Sequence, residues 1–300
     1  MTPVLVRQHL PHAGPTLHVD RGARARDWSE IQERMLVPLY EAVYERLEVG
    51  PGTRLLGLGC GAGLALLMAA TRGAALTGVE PSCPERLALA RERLLPETHE
   101  RLLPETGSAR TRDGAKGGGG NSGGNSGANS SKSIRLIDGS PEDAADAETP
   151  AYTLVTAFEP VGCRAGDADR LLGLLAEATP LAERGAPVVL AGWGPPERCA
   201  TASVLRVATR PPLRDDLEEI ARRAGLKPDG SGRVACPFGY AGVDSAVKGL
   251  LSTGLFDTAI AATDQEQVDK ELTEALHPYQ RRDGAVWMPN VFRYLIARTP

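Results

Sequence analysis

The stretch Thr53–Leu67, TRLLGLGCGAGLALL, sets Gly59, Gly61 and Gly63 at alternate positions between two apolar runs, with a fourth glycine, Gly57, two residues earlier. The run before the glycines, RLLGLG, reads as a buried strand, and GLALLMAATRG after it as a helix stopping at Gly73. A glycine-rich turn from a first strand into a first helix lets a polar or anionic ligand approach the backbone at a helix N-terminus. Ordinary turn chemistry accounts for one glycine here, not three. Two phosphate binders are opposed by the spacing. G-x-G-x-x-G/A, started at Gly59, needs a small residue where Leu64 stands, and G-x-x-x-x-G-K-[ST] does not occur.

Upstream of this loop, DWSEIQERMLVPLYEAVYERLEV (residues 27–49) repeats Ile31, Met35, Leu36, Leu39, Val43 and Leu47 at helical spacing. Ser29 and Gln32 have the spacing of a capping box, and Pro38 marks a kink or break. Downstream, ALTGVEPS reads as a second strand ending on Glu80, and CPERLALARERLL as a helix with Pro84 in its first turn. Strand, helix, strand, helix is the rhythm of a parallel α/β sheet. Residues 96–132 break it: after a repeated LLPET the chain is rich in Gly, Ser and Asn with almost nothing apolar, the composition of a flexible insertion. Strand patterns resume at SIRLIDGS, PAYTLVTAFEPVG and APVVLAGWG, with the helix DADRLLGLLAEATPLAE between the last two. RVACPFGY reads as a sixth strand and VWMPNVFRYLIAR as the last. The expected organisation is an irregular arm over 1–26, then one α/β domain over 27–300 with helices on both sheet faces and a helical lid over 241–285.

Charged residues make up 24% and the net charge is −4, so nothing global points to nucleic acid or an anionic membrane. Cysteines 60, 83, 163, 199 and 236 form no CxxC pair and, with the five histidines, no zinc-ligand spacing, so no metal is expected. Reduced thiols and the lack of a signal-like or spanning apolar segment lead to the expectation of a cytoplasmic protein, monomer or homodimer. Glu80, at the tip of the second strand and 21 residues beyond Gly59, stands where an acidic residue accepts ribose hydroxyl hydrogen bonds. An isolated carboxylate in such a loop is otherwise simply solvated.

LLGLGCGAGLALL, TGVEPS, LIDGSPED and LVTAFEPVG together resemble motifs I, post-I, II and IV of the class I S-adenosylmethionine-dependent methyltransferases. MLVPLYEAVYERLEVGPGTRLL, VVLAGWGPPERC and NVFRYLIAR resemble a bacterial small-molecule subgroup, so the likeness covers about residues 27–95 and 133–300. It implies a Rossmann-like, mostly parallel seven-stranded sheet whose last strand is antiparallel. It also implies a cofactor, S-adenosyl-L-methionine, and a set of contacts. Gly59, Cys60 and Gly61, with Gly63 completing the loop, would run along the methionine moiety. Glu80, followed by Pro81, would hold the ribose. Asp138, Gly139 and Ser140 would read the adenine edge, although Asp138 also suits an Asx turn. Phe158 and Glu159 would face the reactive methyl.

Two positions depart from the family pattern. Thr153 replaces a frequent Asp, a packing difference. Gly57 stands where many members have an acidic residue reaching the methionine ammonium. The expected activity is methyl transfer to a small molecule, with O-, N- and C-methylation all open and no catalytic residue identified. The alternative, motivated by Gly57, is a cofactor-binding regulatory or scaffolding protein with weak or no turnover. FEPVG is not the N/D-P-P-Y/F of amino-methylating nucleic-acid enzymes, and no basic domain with interleaved aromatics occurs, which leaves a small-molecule acceptor. Glu159 could be its base, orient an amine or simply be solvated. Trp28 and Trp193 are pocket walls or packing anchors.

Because Gly107–Ser131 has almost nothing apolar to contribute to a core, replacing it by a short Gly/Ser linker should shift the melting temperature by no more than a few degrees. Loss of soluble expression on this replacement would show that the segment folds onto the domain.

Overall fold

Arg54–Leu58 (β1) and Ala75–Val79 (β2) are short apolar runs buried on both faces, as central parallel strands must be. In the computed structural model, which describes residues 20–95, 134–145, 150–163, 166–208 and 217–300, they lie side by side in parallel register, Arg54 opposite Ala75 and Leu58 opposite Val79. The 96–132 insertion and residues 1–19 of the expected arm fall outside the described residues. Ile134–Ile137 (β3), Leu154–Val161 (β4), Pro187–Trp193 (β5) and Lys227–Ala235 (β6) join the same sheet. So does the last strand of the chain, Val291–Arg298.

The order is β3-β2-β1-β4-β5, then the Val291–Arg298 strand, then β6. That strand is antiparallel to both neighbours, whereas β3, β2, β1, β4 and β5 are mutually parallel. This is the strand order and orientation of the class I S-adenosylmethionine-dependent methyltransferase fold. The chain progresses outward from β1 to β3, then returns to the other side of β1 with β4. Such a reversal leaves a crevice at the carboxyl ends of β1 and β4, where open α/β sheets bind ligands.

Three boundaries differ from the sequence pattern. The helical N-terminal segment starts inside the expected arm: Arg21–Asp27 (α1) is capped by Asp20, whose Oδ1 accepts from the Ala23 N–H at 2.9 Å. Ser29, expected at a capping box, lies instead within a π-helical turn, Trp28–Gln32, followed by a 3₁₀ turn, Glu33–Leu36. The helix resumes as Val37–Arg46 (α2) with Pro38 in its first turn, so the proline sits at the break. RVACPFGY and VWMPNVFRYLIAR each divide in two. Phe238–Tyr240 (β7) pairs with Val286–Met288 (β8) in a separate two-stranded sheet, making Val291–Arg298 β9. β6 begins earlier than its apolar pattern, at Lys227, because its alternating surface leaves only every second residue half covered. The 241–285 segment is helical as expected, with helices at Val243–Ser252, Asp257–Ala262 and Gln265–Leu276.

Leu64–Thr71 (α3) and Pro84–Leu94 (α4) follow β1 and β2. Gly57 and Gly78 are directly opposite one another in the β1/β2 register. Over them lies Leu66 of α3, 2% exposed. A Cβ on Gly57 would come within 3.0 Å of Leu66 Cδ2, and one on Gly78 within 2.5 Å of Leu66 Cδ1 and 2.9 Å of Leu136 Cδ2. The fourth glycine of the opening stretch thus makes room for a helix. Thr153 also has a structural partner: its Oγ1 accepts from the Arg54 N–H at 2.9 Å, at the start of β1 and away from the crevice.

Gly78→Ala should therefore destabilise the protein by about 1–3 kcal/mol through overpacking. Urea unfolding of a double-mutant cycle checks the cause: the cost should shrink in a Leu66→Ala background, and equal costs in both backgrounds would exclude Leu66 as the obstacle.

Candidate functional site

The loop after β1 reverses direction within five residues because Gly59, Gly61 and Gly63 take left-handed φ angles of 61°, 57° and 81°. L side chains are strained in that region, which is why glycine recurs at every second position. The Cys60 N–H donates to the Val79 carbonyl at 3.0 Å, locking the loop against the end of β2. Gly63 is drawn into packing. A Cβ there would lie 3.0 Å from Ala90 Cβ and 3.1 Å from Leu94 Cδ1 of α4.

Glu80 follows β2 and is 5% exposed. Its Oε2 accepts from the Gly61 N–H at 2.9 Å and its Oε1 from the Ser82 N–H at 3.0 Å. Burial raises the affinity of this carboxyl for its proton, opposed by the two backbone hydrogen bonds. Glu159 lies across the loop, Oε2 3.6 Å from where a Cβ on Gly59 would stand. Phe158, buried beside it, packs against Tyr40 and Tyr44 of α2 with ring centroids 4.8 and 5.7 Å away.

A further acidic residue enters from the N-terminal segment. Glu33 is 2% exposed; its Oε1 accepts from the Leu64 N–H at 3.2 Å and its Oε2 pairs with Arg93 at 2.7 Å. Arg93 also donates to the Ala62 carbonyl at 2.6 Å and to Ser29 Oγ at 2.7 Å. Gly63 has no side chain with which to cap α3, and Glu33 caps it from another segment, a carboxylate at the positive end of the helix. Burial raises the Glu33 pKa, while Arg93 works in the opposite sense.

Together these groups line an open cleft at the reversal of strand order. Of the residues expected at the site, Gly59, Cys60, Gly61, Glu80, Phe158, Trp28 and Glu159 line it. A second cavity adjoins it and shares Trp28, Leu36, Arg86 and Glu159. Trp193 belongs to this second cavity, packed against Phe292 at 4.5 Å and Phe238 at 6.0 Å between centroids. Thr253 and Leu255, from the helical 241–285 segment, complete its rim.

Five other expected residues line neither the cleft nor the second cavity. Gly63 packs against α4, and Pro81 is exposed. Asp138 is exposed at the end of β3, and Gly139 and Ser140 begin a local cap in which Ser140 and Asp143 exchange side-chain and backbone hydrogen bonds. These three stay close to the cleft through the strand ends, since the Glu80 N–H donates to the Ile137 carbonyl at 3.1 Å.

Glu33 and Arg86 are the residues that the sequence pattern did not reveal. Glu33 lies off the apolar helical stripe, and only the π-helical turn rotates it inward. Arg86 looks like one of several arginines on an amphipathic helix.

No family model matches the sequence, and neither does any curated protein. Solved structures align over most of the chain. A Bacillus halodurans C-125 protein assigned as a methyltransferase is 13% identical over 87% of this chain and 98% of its own, at a TM-score of 0.49. A Geobacter sulfurreducens S-adenosylmethionine-dependent methyltransferase, in complex with S-adenosyl-L-homocysteine, is 17% identical over 89% and 92%, at 0.44. Phosphoethanolamine N-methyltransferase 2 of Haemonchus contortus, in complex with S-adenosyl-L-methionine, is 15% identical over 93% and 56%, at 0.47. Likenesses this distant carry no argument about the site, and the fold assignment rests on the strand order.

The raised Glu80 pKa has a measurable sign. A carboxyl that binds its proton more tightly when folded contributes stability below its unfolded pKa, near 4.5, and loses that contribution as pH rises through its folded value. The stability of wild type minus that of Glu80→Gln should therefore fall as pH rises above 4.5 and level off beyond the folded pKa. Urea unfolding across that pH series checks it, and a difference that rises with pH would contradict the buried, ligand-free carboxylate.

Proposed function

We propose that this protein transfers a methyl group from S-adenosyl-L-methionine to a small-molecule acceptor. The observation that carries the reading is the cleft at the strand reversal, floored by left-handed glycines, flanked by the buried Glu80 and opening past Glu159 into a second, aromatic-walled cavity. Two cavities with a common wall suit a donor and an acceptor that must meet.

The residues present fit the cofactor at one point in particular. A Cβ on Gly61 would meet Glu33 Oε1 and Trp28 Nε1, each at 3.4 Å, so the bare backbone leaves a space bounded by an acceptor and a donor. An amino acid's ammonium and carboxylate match that pair. Glu33 then stands in for the acid absent at Gly57, and Glu80 accepts from the ribose hydroxyls. Since Gly57 is accounted for by Leu66, it does not by itself speak for a protein without turnover.

S-adenosylmethionine would supply a methyl group bonded to a sulfonium sulfur, with a neutral thioether as leaving group. The protein's part is orientation and proton removal. The Phe158 ring, held by Tyr40 and Tyr44, fixes the wall beside the transfer point. Glu159, exposed and shared by both cavities, accepts the proton that an oxygen or nitrogen acceptor loses as its new bond to carbon forms. Trp193, Phe238 and Phe292 shape the acceptor cavity for an apolar or aromatic molecule.

S-adenosylhomocysteine should bind in calorimetry and raise the melting temperature. Glu80→Ala should weaken that binding at least tenfold, the loss of charge-assisted hydrogen bonds worth roughly 1.5–3 kcal/mol each. Release of S-adenosylhomocysteine with a panel of aromatic acceptors tests turnover. Affinity unchanged in Glu80→Ala would refute the ribose assignment, and binding without release from any acceptor would favour the regulatory alternative.

A further inference from the structure

Two buried donors lie at the junction of the cleft and the second cavity without an acceptor among the described residues: Trp28 Nε1 and Arg86 Nε. Both side chains line both cavities. The guanidinium carbon of Arg86 sits 4.0 Å from the Trp28 ring centroid, a cation–π contact that holds the two side chains together. One terminal nitrogen of Arg86 donates to the Ser252 carbonyl at 2.9 Å, and the guanidinium makes no ion pair among the described residues.

Glu33 and Glu80 feel the charge of Arg86, which favours their ionised forms, but neither makes an ion pair with it among the described residues. Glu33 is held by Leu64 and Arg93, and Glu80 by the Gly61 and Ser82 amides. Glu159 lies on the rim beyond the loop. Arg86 is also the third residue of α4, where the helix field disfavours a cation and favours an anion. A cation retained there, beside a second donor with nothing to bond, marks a place for negative charge.

We propose that Trp28 Nε1 and Arg86 Nε form a subsite for the carboxylate of a bound small molecule, a group with two oxygens to accept from two unpartnered N–H donors on neighbouring side chains. This rests on the methyl-transfer reading above, which offers two sources for that group. One is the carboxylate of the cofactor's methionine end, because Trp28 Nε1 lies beside Gly61. The other is an acid on the acceptor, because the aromatic cavity begins at the same two side chains.

The test uses the full chain, Trp28→Phe and Arg86→Lys. Trp28→Phe keeps an aromatic ring for Arg86 while removing the N–H together with the five-membered part of the indole, Arg86→Lys keeps the charge while removing Nε, and melting temperatures confirm folding. Calorimetry compares S-adenosylhomocysteine with 5′-methylthioadenosine, which lacks the amino-acid end, and benzoate with benzyl alcohol. If the cofactor is the source, the variants lose at least tenfold for S-adenosylhomocysteine and less than twofold for methylthioadenosine. If the acceptor is the source, they lose benzoate at least tenfold and retain S-adenosylhomocysteine. Either pattern supports the subsite. It is overturned if both variants bind every carboxylate within twofold of wild type, if neutral probes weaken as much as carboxylates, or if wild type binds neither carboxylate. Wild type that binds neither nucleoside sinks the methyl-transfer reading instead, and benzoate then tests the subsite alone.

Discussion

A buried ion pair, Glu33 with Arg93, ties together three segments that are far apart in the chain. Glu33 belongs to the N-terminal segment, Arg93 to the end of α4, and between them stand the glycine loop's Ala62 carbonyl and the first amide of α3. With Glu33 3% and Arg93 22% exposed at the side chain, removing either partner would strand a charge in the interior, a change that costs on the order of 3–5 kcal/mol. The pair therefore fixes where the N-terminal segment lies over the loop. Trp28 and Leu36, and through them both cavities, take their positions from it.

The irregular backbone of that segment follows from the same constraint. A straight α-helix across residues 21–46 would keep one apolar stripe facing the sheet. Here a π-helical turn and a 3₁₀ turn interrupt it between Trp28 and Leu36, and those turns carry Trp28, Gln32, Glu33 and Leu36 to the cavities. Such turns leave backbone hydrogen bonding poorer than in a regular helix and are often found at functional sites. The Tyr240 hydroxyl donates to the buried Gln32 Oε1 at 2.9 Å, so the amide oxygen that these turns carry inward has a partner.

Close approach governs the floor of the cleft. Leu66 can descend onto β1 and β2 only because both strands present a glycine beneath it. The same descent brings the start of α3 near enough for Glu33 to cap it. Position 57 is thus occupied by the packing of Leu66, and the buried acid beside the loop comes from position 33 instead. Electrostatically the result is a cleft with several carboxylates and one unpaired guanidinium among the described residues, graded into a cavity whose walls are mainly aromatic and aliphatic.

Much of this was legible in the sequence alone. Alternate glycines after an apolar run require left-handed turns, and the strand–helix rhythm around them requires a parallel sheet, since each is a local consequence of backbone sterics and periodicity. Glu80 could be placed because strand ends in such a sheet point to one edge, whereas Phe158 and Glu159 were implied only by the resemblance to the methyltransferase motifs. Only the tertiary structure decided what Gly57 is for, because its reason is Leu66, a residue nine positions away on another element. Only it revealed Glu33, whose inward rotation depends on a π-helical turn that no periodicity announces, and Arg86, whose meaning depends on the Trp28 ring beneath it. Local pattern determined the elements and the loop; long-range packing determined which charges face the cleft, because burial and pairing are properties of neighbours that the chain brings together only on folding.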